Sequence, residues 1–161
     1  LTNADNAAAE IRNVKITNST LSNLAVGLAA TKGPDPVSVT IENCTFAYCI
    51  QKGKYFIDFN KKAAKTIEIS NCLFGVSGAT TKALAPLMAW RGNTAPQVID
   101  LFFTKDFEWA ANEDGSPVSM FDGTTISTDM AGTFKSPLTS DFTIVNTVDF
   151  KISKPGDQRW Y

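Results

Sequence analysis

One phrase recurs three times in the first half of the chain: Val14-x-Ile16-x-Asn18-Ser19-x-Leu21, Val39-x-Ile41-x-Asn43-Cys44-x-Phe46 and Ile67-x-Ile69-x-Asn71-Cys72-x-Phe74. Its Asn returns after 25 residues (18 to 43) and again after 28 (43 to 71). A period of that length marks a stack of similar structural units. Within each phrase two β-branched residues, two apart, share one face of a strand, and polar residues take the other. Asn then interrupts the alternation on the inward side. If it adopts the left-handed conformation, which it tolerates better than most residues, the chain bends and the inward parity restarts one residue later. Ser19, Cys44 and Cys72 then point inside, with Leu21, Phe46 and Phe74. Each phrase thus reads as two short strands joined by an Asn corner. Copies stack about 4.8 Å apart, Asn amide bonded to Asn amide.

A further apolar strand follows each later copy: Tyr55-Phe-Ile-Asp-Phe59 between Lys52-Gly53 and Asn60-Lys61, and Leu87-Met-Ala-Trp90 between Pro86 and Arg91-Gly92-Asn93. The rungs fall at about 11–34, 37–62 and 65–93. The expected fold is all-β, a short single-stranded parallel β-helix. Its hand is right-handed, the almost invariable hand of parallel crossovers. Ile99-x-Leu101-x-Phe103-Thr104-x-Asp106-Phe107 and Phe142-x-Ile144-x-Asn146-Thr147-x-Asp149-Phe150 keep the opening of the phrase, but place the closing Phe one residue late. That predicts a bulge at the corner of both late rungs. The stretch 108–141, rich in Gly, Pro and Asp turns, reads as loops or short strands. Residues 1–161 are read as one domain, with a cap or linker at 1–10, regular rungs at 11–107, and irregular last rungs and a C-terminal cap at 108–161. Asp5–Glu10 reads as an N-capped helical turn plugging the first rung, and Trp160 with Tyr161 as aromatics closing the last one. Leu1 is not an initiator Met, so the chain reads as the C-terminal part of a longer protein.

Composition narrows the chemistry. The 161 residues carry a formal charge of −1 and no basic cluster, which argues against a nucleic-acid partner. No apolar run approaches membrane length. The chain has no His, so imidazole-dependent serine or cysteine hydrolysis and most transition-metal catalysis lose their usual base or ligand. Among three Cys, Cys44 and Cys72 hold equivalent places and read as stacked core thiols. No zinc pattern is present, and no other metal or cofactor is called for. Carboxylate and Arg or Lys chemistry stays open, drawn from Glu42, Asp58, Glu68, Asp100, Asp106, Glu108 and Asp149. Asp58 and Arg91 end neighbouring strands and are expected to form a cross-rung pair. Tyr55, Trp90 and Trp109 are the rings able to stack on a sugar face. Trp90 and Trp109 have a second reading, as core and loop cover. The sequons at Asn18 and Asn43 are discounted, because their amides serve the corner ladder.

The Asn-Ser-Thr-Leu, Asn-Cys-Thr-Phe and Asn-Cys-Leu-Phe endings, the segment Ser136–Ile144 and the final Gly156-Asp-Gln-Arg-Trp160 carry a family resemblance. The chain resembles the pectate-lyase-like parallel β-helix domains of uncharacterised secreted or surface lipoproteins from gut Bacteroidetes. The likeness covers nearly the whole chain, with Gln158 where Pro is expected. It implies a secreted or outer-surface protein in a polysaccharide-utilisation setting, with fibronectin-like domains upstream in the same chain. The Asn-Thr-Asp, Asp-Asp, Gly-His-Gly and Arg-Ile-Lys motifs of polygalacturonase-type hydrolases are missing, so no catalytic residue is carried over. The expected function is noncatalytic polysaccharide binding through Tyr55, Asp58, Trp90, Arg91 and Trp109. The alternatives are a lyase, with calcium, or glycoside hydrolase whose acids gather on one flank, and a structural or adhesion spacer that engages a protein.

Overall fold

The structure, a computed structural model, describes residues 2–4, 12–31, 33, 38–78, 85–145, 150 and 154–161. It is all-β with parallel sheets. Strands β2 (Asn13–Ser22), β4 (Ser38–Ala47), β6 (Thr66–Phe74), β8 (Gln97–Phe103) and β9 (Thr124–Thr125) form a five-stranded sheet in that order. The smaller sheet holds β1 (Thr2–Ala4), β3 (Ala29–Thr31), β5 (Tyr55–Asp58) and β7 (Met88–Arg91). Every pairing in both is parallel. From β1 to β8 the chain alternates between the two.

The corner residues explain why the large sheet stacks. Asn18, Asn43 and Asn71 have φ of 48°, 52° and 49°, all left-handed. The Asn43 Nδ2 donates to the Asn18 Oδ1 at 3.1 Å, and the Asn71 Nδ2 to the Asn43 Oδ1 at 2.7 Å. The small residue after each corner closes it: Ser19 Oγ, Cys44 Sγ and Cys72 Sγ each donate to the carbonyl two residues back, at 2.8, 3.2 and 3.1 Å. The rows Ile16-Ile41-Ile69-Val98 and Leu21-Phe46-Phe74-Phe103 then align in register. Their side chains form a core with Phe56, Ile57 and Phe59 from the β5 region. Replacing Asn43 by Ala is expected to destabilise the protein by about 2 kcal/mol in urea titrations, from the left-handed strain and two lost amide bonds. Asn43→Gly relieves the strain alone and should recover about half of that loss.

The fourth strand departs from the sequence expectation. Ser70 pairs with Ile99, Cys72 with Leu101 and Phe74 with Phe103, so β8 carries no inserted residue. The corner is Asp100, at φ 53°. Asp tolerates the left-handed region as Asn does, so the bulge expected near Phe107 is absent here and the true phrase is Val98-x-Asp100-Leu101-x-Phe103. The described start of the late phrase, Phe142–Ile144, does not join the parallel stack either. β11 (Asp141–Ile144) pairs antiparallel with β10 (Phe134–Ser136), while Asn146–Asp149 lie outside the described residues. The helical turn expected at Asp5–Glu10 also lies outside them, and Thr2–Ala4 ahead of it forms a strand beside β3.

The segment from Ile126 onward covers the outer face of the large sheet beyond its Asn corners. Ala47, Tyr48, Leu73 and Val76 on the sheet side pack with Met130 of α1 (Met130–Thr133), Phe134, Phe142, Ile144 and Phe150 in a second apolar cluster. Phe102 and Trp160 flank it. The C-terminal tail therefore crosses the face of the sheet as far as β2, where the Trp160 Nε1 donates to the Thr20 Oγ1 at 2.6 Å. It does not simply close the last rung, because Thr20 and Thr45 offer hydroxyls on the outward row. Ahead of the corners, the outward residues Lys15, Glu42, Glu68 and Gln97 remain exposed.

Candidate functional site

Three of the five proposed sugar-contacting residues converge on the small sheet. β5 and β7 lie side by side with Tyr55 opposite Met88 and Asp58 opposite Arg91. That register lets the Arg91 guanidinium form a two-pronged pair with Asp58, Nε to Oδ1 at 2.9 Å and Nη2 to Oδ2 at 2.8 Å. The Asp58 Oδ1 also accepts from the Asn60 backbone N–H at 3.0 Å, which holds the carboxylate at the strand end. The guanidinium carbon lies 5.1 Å from the centre of the Tyr55 ring. The Asp58 hydrogen bonds push the Arg91 pKa up, so the cation is fixed at every accessible pH. The result is a preorganised patch of one ring, one cation and one anion, with the Arg91 and Asp58 side chains 47% and 28% exposed.

The two tryptophans are placed otherwise. Trp90 pairs with the fully buried Ile57 and packs, half-buried, against the core. Its backbone N–H donates to the Ser119 Oγ at 3.1 Å. Trp109 stands in a ring cluster, 4.8 Å from Phe107, 5.3 Å from Phe103 and 5.9 Å from Phe121. Of the open acids, Asp106 accepts from the Met130 N–H at 3.0 Å and Asp100 takes the fourth corner. Glu42 and Glu68 sit on the open outer face, offset by two residues, since Glu42 pairs with Ser70 and Thr40 with Glu68.

The polar group most fully built into the fold was not among the candidates. Asp157 is 1% exposed. Its carboxylate accepts from the Thr20 Oγ1 at 2.8 Å, from the Arg159 N–H at 3.1 Å and from the Arg159 Nε at 3.0 Å. Its own N–H donates to the Thr45 Oγ1 at 3.0 Å. Gly156 before it has φ 90°, and a Cβ there would lie 2.5 Å from the Thr45 Oγ1, so only Gly lets the tail lie this close to β4. Burial pushes the Asp157 carboxyl up, and the bonds from Arg159 and Thr20 outweigh it, leaving the pKa below its ordinary value. The Gly-Asp-x-Arg-Trp ending is thus a clasp.

Cys44, Cys49 and Cys72 are free and buried in the core. Burial pushes Cys49 up to about 11 and Cys72 well above its usual value, while the hydrogen bond with Cys72 holds Cys44 below its own. Among the described residues no group of three or more His, Cys, Asp or Glu is placed to hold a metal ion. Nor does any helix among them have the length and apolarity to cross a membrane.

Fold and site together define an all-β protein of stacked parallel strands, with a surface ring-and-ion-pair patch and a C-terminal clasp. The family model described as a domain of unknown function, DUF5123, matches residues 39–160, from β4 through the clasp. The chain belongs to that family. No curated protein and no solved structure matches it.

Proposed function

We propose that this protein is a noncatalytic, secreted or cell-surface module that binds polysaccharide, and that its two sheets are walls of one right-handed parallel β-helix. The alternation of strands between the sheets supports the coil, as does the edge-to-face contact of Phe56 with Phe46 across them, at 4.9 Å. The extracellular, carbohydrate setting rests on the resemblance to pectate-lyase-like domains. The observation that carries the binding reading is the Tyr55–Asp58–Arg91 patch: a ring beside a locked, two-pronged ion pair offers stacking and fixed hydrogen-bond partners to a sugar.

The test is a titration of the purified protein with neutral and acidic plant or host glycans, with and without calcium. Binding without product release is expected. Tyr55→Ala and Arg91→Ala should each weaken it by about tenfold, from the lost stacking surface and the lost cation. An exposed ion pair is worth only about 0–1 kcal/mol, so Arg91→Ala should melt close to the parent. Released oligosaccharide would replace this reading with a lyase or hydrolase, and absence of binding to every glycan with a spacer that engages a protein.

A further inference from the structure

Where the C-terminal cover meets the large sheet, a hollow of about 430 Å³ remains. Tyr48 and Val76, from the bends after β4 and β6, line it on the sheet side. Met130 and Ala131 of α1 line it on the other, with the turn Pro137–Thr139. The wall is apolar apart from the Tyr48, Ser136 and Thr139 hydroxyls and the Asp106 carboxylate. A second hollow of about 110 Å³ shares Val76 and Asp106 with the first and adds Ser77 and Glu108. An apolar chamber thus borders a smaller one that holds two carboxylates.

Several features mark these hollows as more than a packing gap. Tyr48 has φ 53°, a left-handed conformation that is rare for a bulky residue and concentrates at functional positions. Among the described residues, no cation pairs with Asp106 or Glu108, and Asp106 is engaged by the Met130 N–H at 3.0 Å. Burial, and then the charge of Asp106, push the Tyr48 phenol up, so it stays a neutral donor. Leu138, lining the chamber, is 74% exposed, an apolar side chain left in water beside an apolar hollow.

We infer that the paired hollows bind a small organic ammonium, its aryl or short alkyl body against Val76, Met130 and Leu138 and its cationic head between Asp106 and Glu108. Asp106 and Glu108 are exposed, so they act as surface charges, and selectivity comes from adding their pull to the apolar contact: the pair favours a cation and disfavours an anion of the same shape. This site does not depend on the glycan reading, since Tyr55, Asp58 and Arg91 lie on the other sheet.

The test is an amide NMR titration with three probes of one shape: 2-phenylethylammonium, 2-phenylethanol and 3-phenylpropionate. The ammonium is expected to shift the amides of Tyr48, Val76, Asp106 and Met130 saturably, and to bind about tenfold more tightly than the alcohol, with the carboxylate weakest. Asp106→Asn keeps an acceptor for the Met130 N–H while removing the charge. Combined with Glu108→Gln it should bring the ammonium down to the affinity of the alcohol. Ala131→Trp, at an exposed α1 position on the chamber wall, should abolish binding of all three probes. Equal binding of the three probes, no saturable shift with the ammonium, or shifts confined to other residues would overturn the inference. So would full ammonium affinity in the doubly neutralised variant, or displacement of the ammonium by glucose. The probe series uses the native protein and stands whether or not the variants fold.

Discussion

Phe74→Ala is expected to lower the unfolding free energy by about 4 kcal/mol in urea titrations, the upper range for truncating a buried ring. Phe74 is 1% exposed and meets rings from most of the molecule. Phe46 of β4 stacks on it at 4.9 Å, and Phe103 of β8 lies at 5.5 Å on the other side. Phe56 of the small sheet approaches at 5.5 Å, with Phe107 and Phe121 beyond. Phe46, Phe56 and Phe103 hang from strands locked in register by hydrogen bonds on both sides, so they cannot close over a missing ring, and the cavity term stays large. Phe74→Leu retains most of the volume and should lose only about 1–2 kcal/mol. A loss below about 1 kcal/mol for the alanine variant would show that the strands slide to fill the gap, and that the stack is far softer than its register implies.

What was legible in the sequence was what local chemistry demands. A left-handed bend between two alternating runs favours Asn, whose amide can also bond to the next copy, so Asn18, Asn43 and Asn71 announced both the corner and the ladder. Asp58 and Arg91 were legible because each ends a strand, and the two strands lie side by side in register. Asp100 was missed because Asp fills the corner without the amide that made the other three recognisable, and the apolar alternation Ile99, Leu101, Phe103 set the corner three residues late, at Phe103. Tyr48 was unreadable, since nothing in a tyrosine announces a left-handed backbone. The two tryptophans were ambiguous for a physical reason: a large ring serves a core and a sugar equally well, and only the packing of Phe103, Phe107 and Phe121 around Trp109 decides. The cover did leave a trace. The outward row reads Thr20, Thr45, Leu73, Phe102 in register, so it turns apolar toward the later strands, where a solvated face would have stayed polar. That drift is the mark of a second layer, and its polar end is where the clasp takes hold.

Asp157→Ala should release that clasp, with an expected loss of about 3 kcal/mol at neutral pH, the sum of several hydrogen bonds to one buried charge. The Thr20 hydroxyl links the parts, donating to Asp157 while accepting from the Trp160 indole, so the indole N–H signal in NMR should move to a solvent-exposed position together with the stability loss. Arg159→Ala should lose less than about 1 kcal/mol, because the guanidinium is 67% exposed and its pairing with Asp157 is largely screened. The pH dependence follows from the direction of the Asp157 shift. A carboxyl whose folded pKa lies below its unfolded value of about 3.9 contributes its full stability above that value, and loses it as pH falls through the folded pKa. The gap in stability between the parent and Asp157→Ala should therefore be constant from neutral pH down to about 5 and narrow progressively below about 4. A gap that persisted unchanged into strong acid would mean that the carboxylate charge contributes nothing and that the clasp is held by Gly156 and Trp160 packing alone. The outer cover would then be fastened to the sheet by shape, and the buried Asp would need another reason to be there.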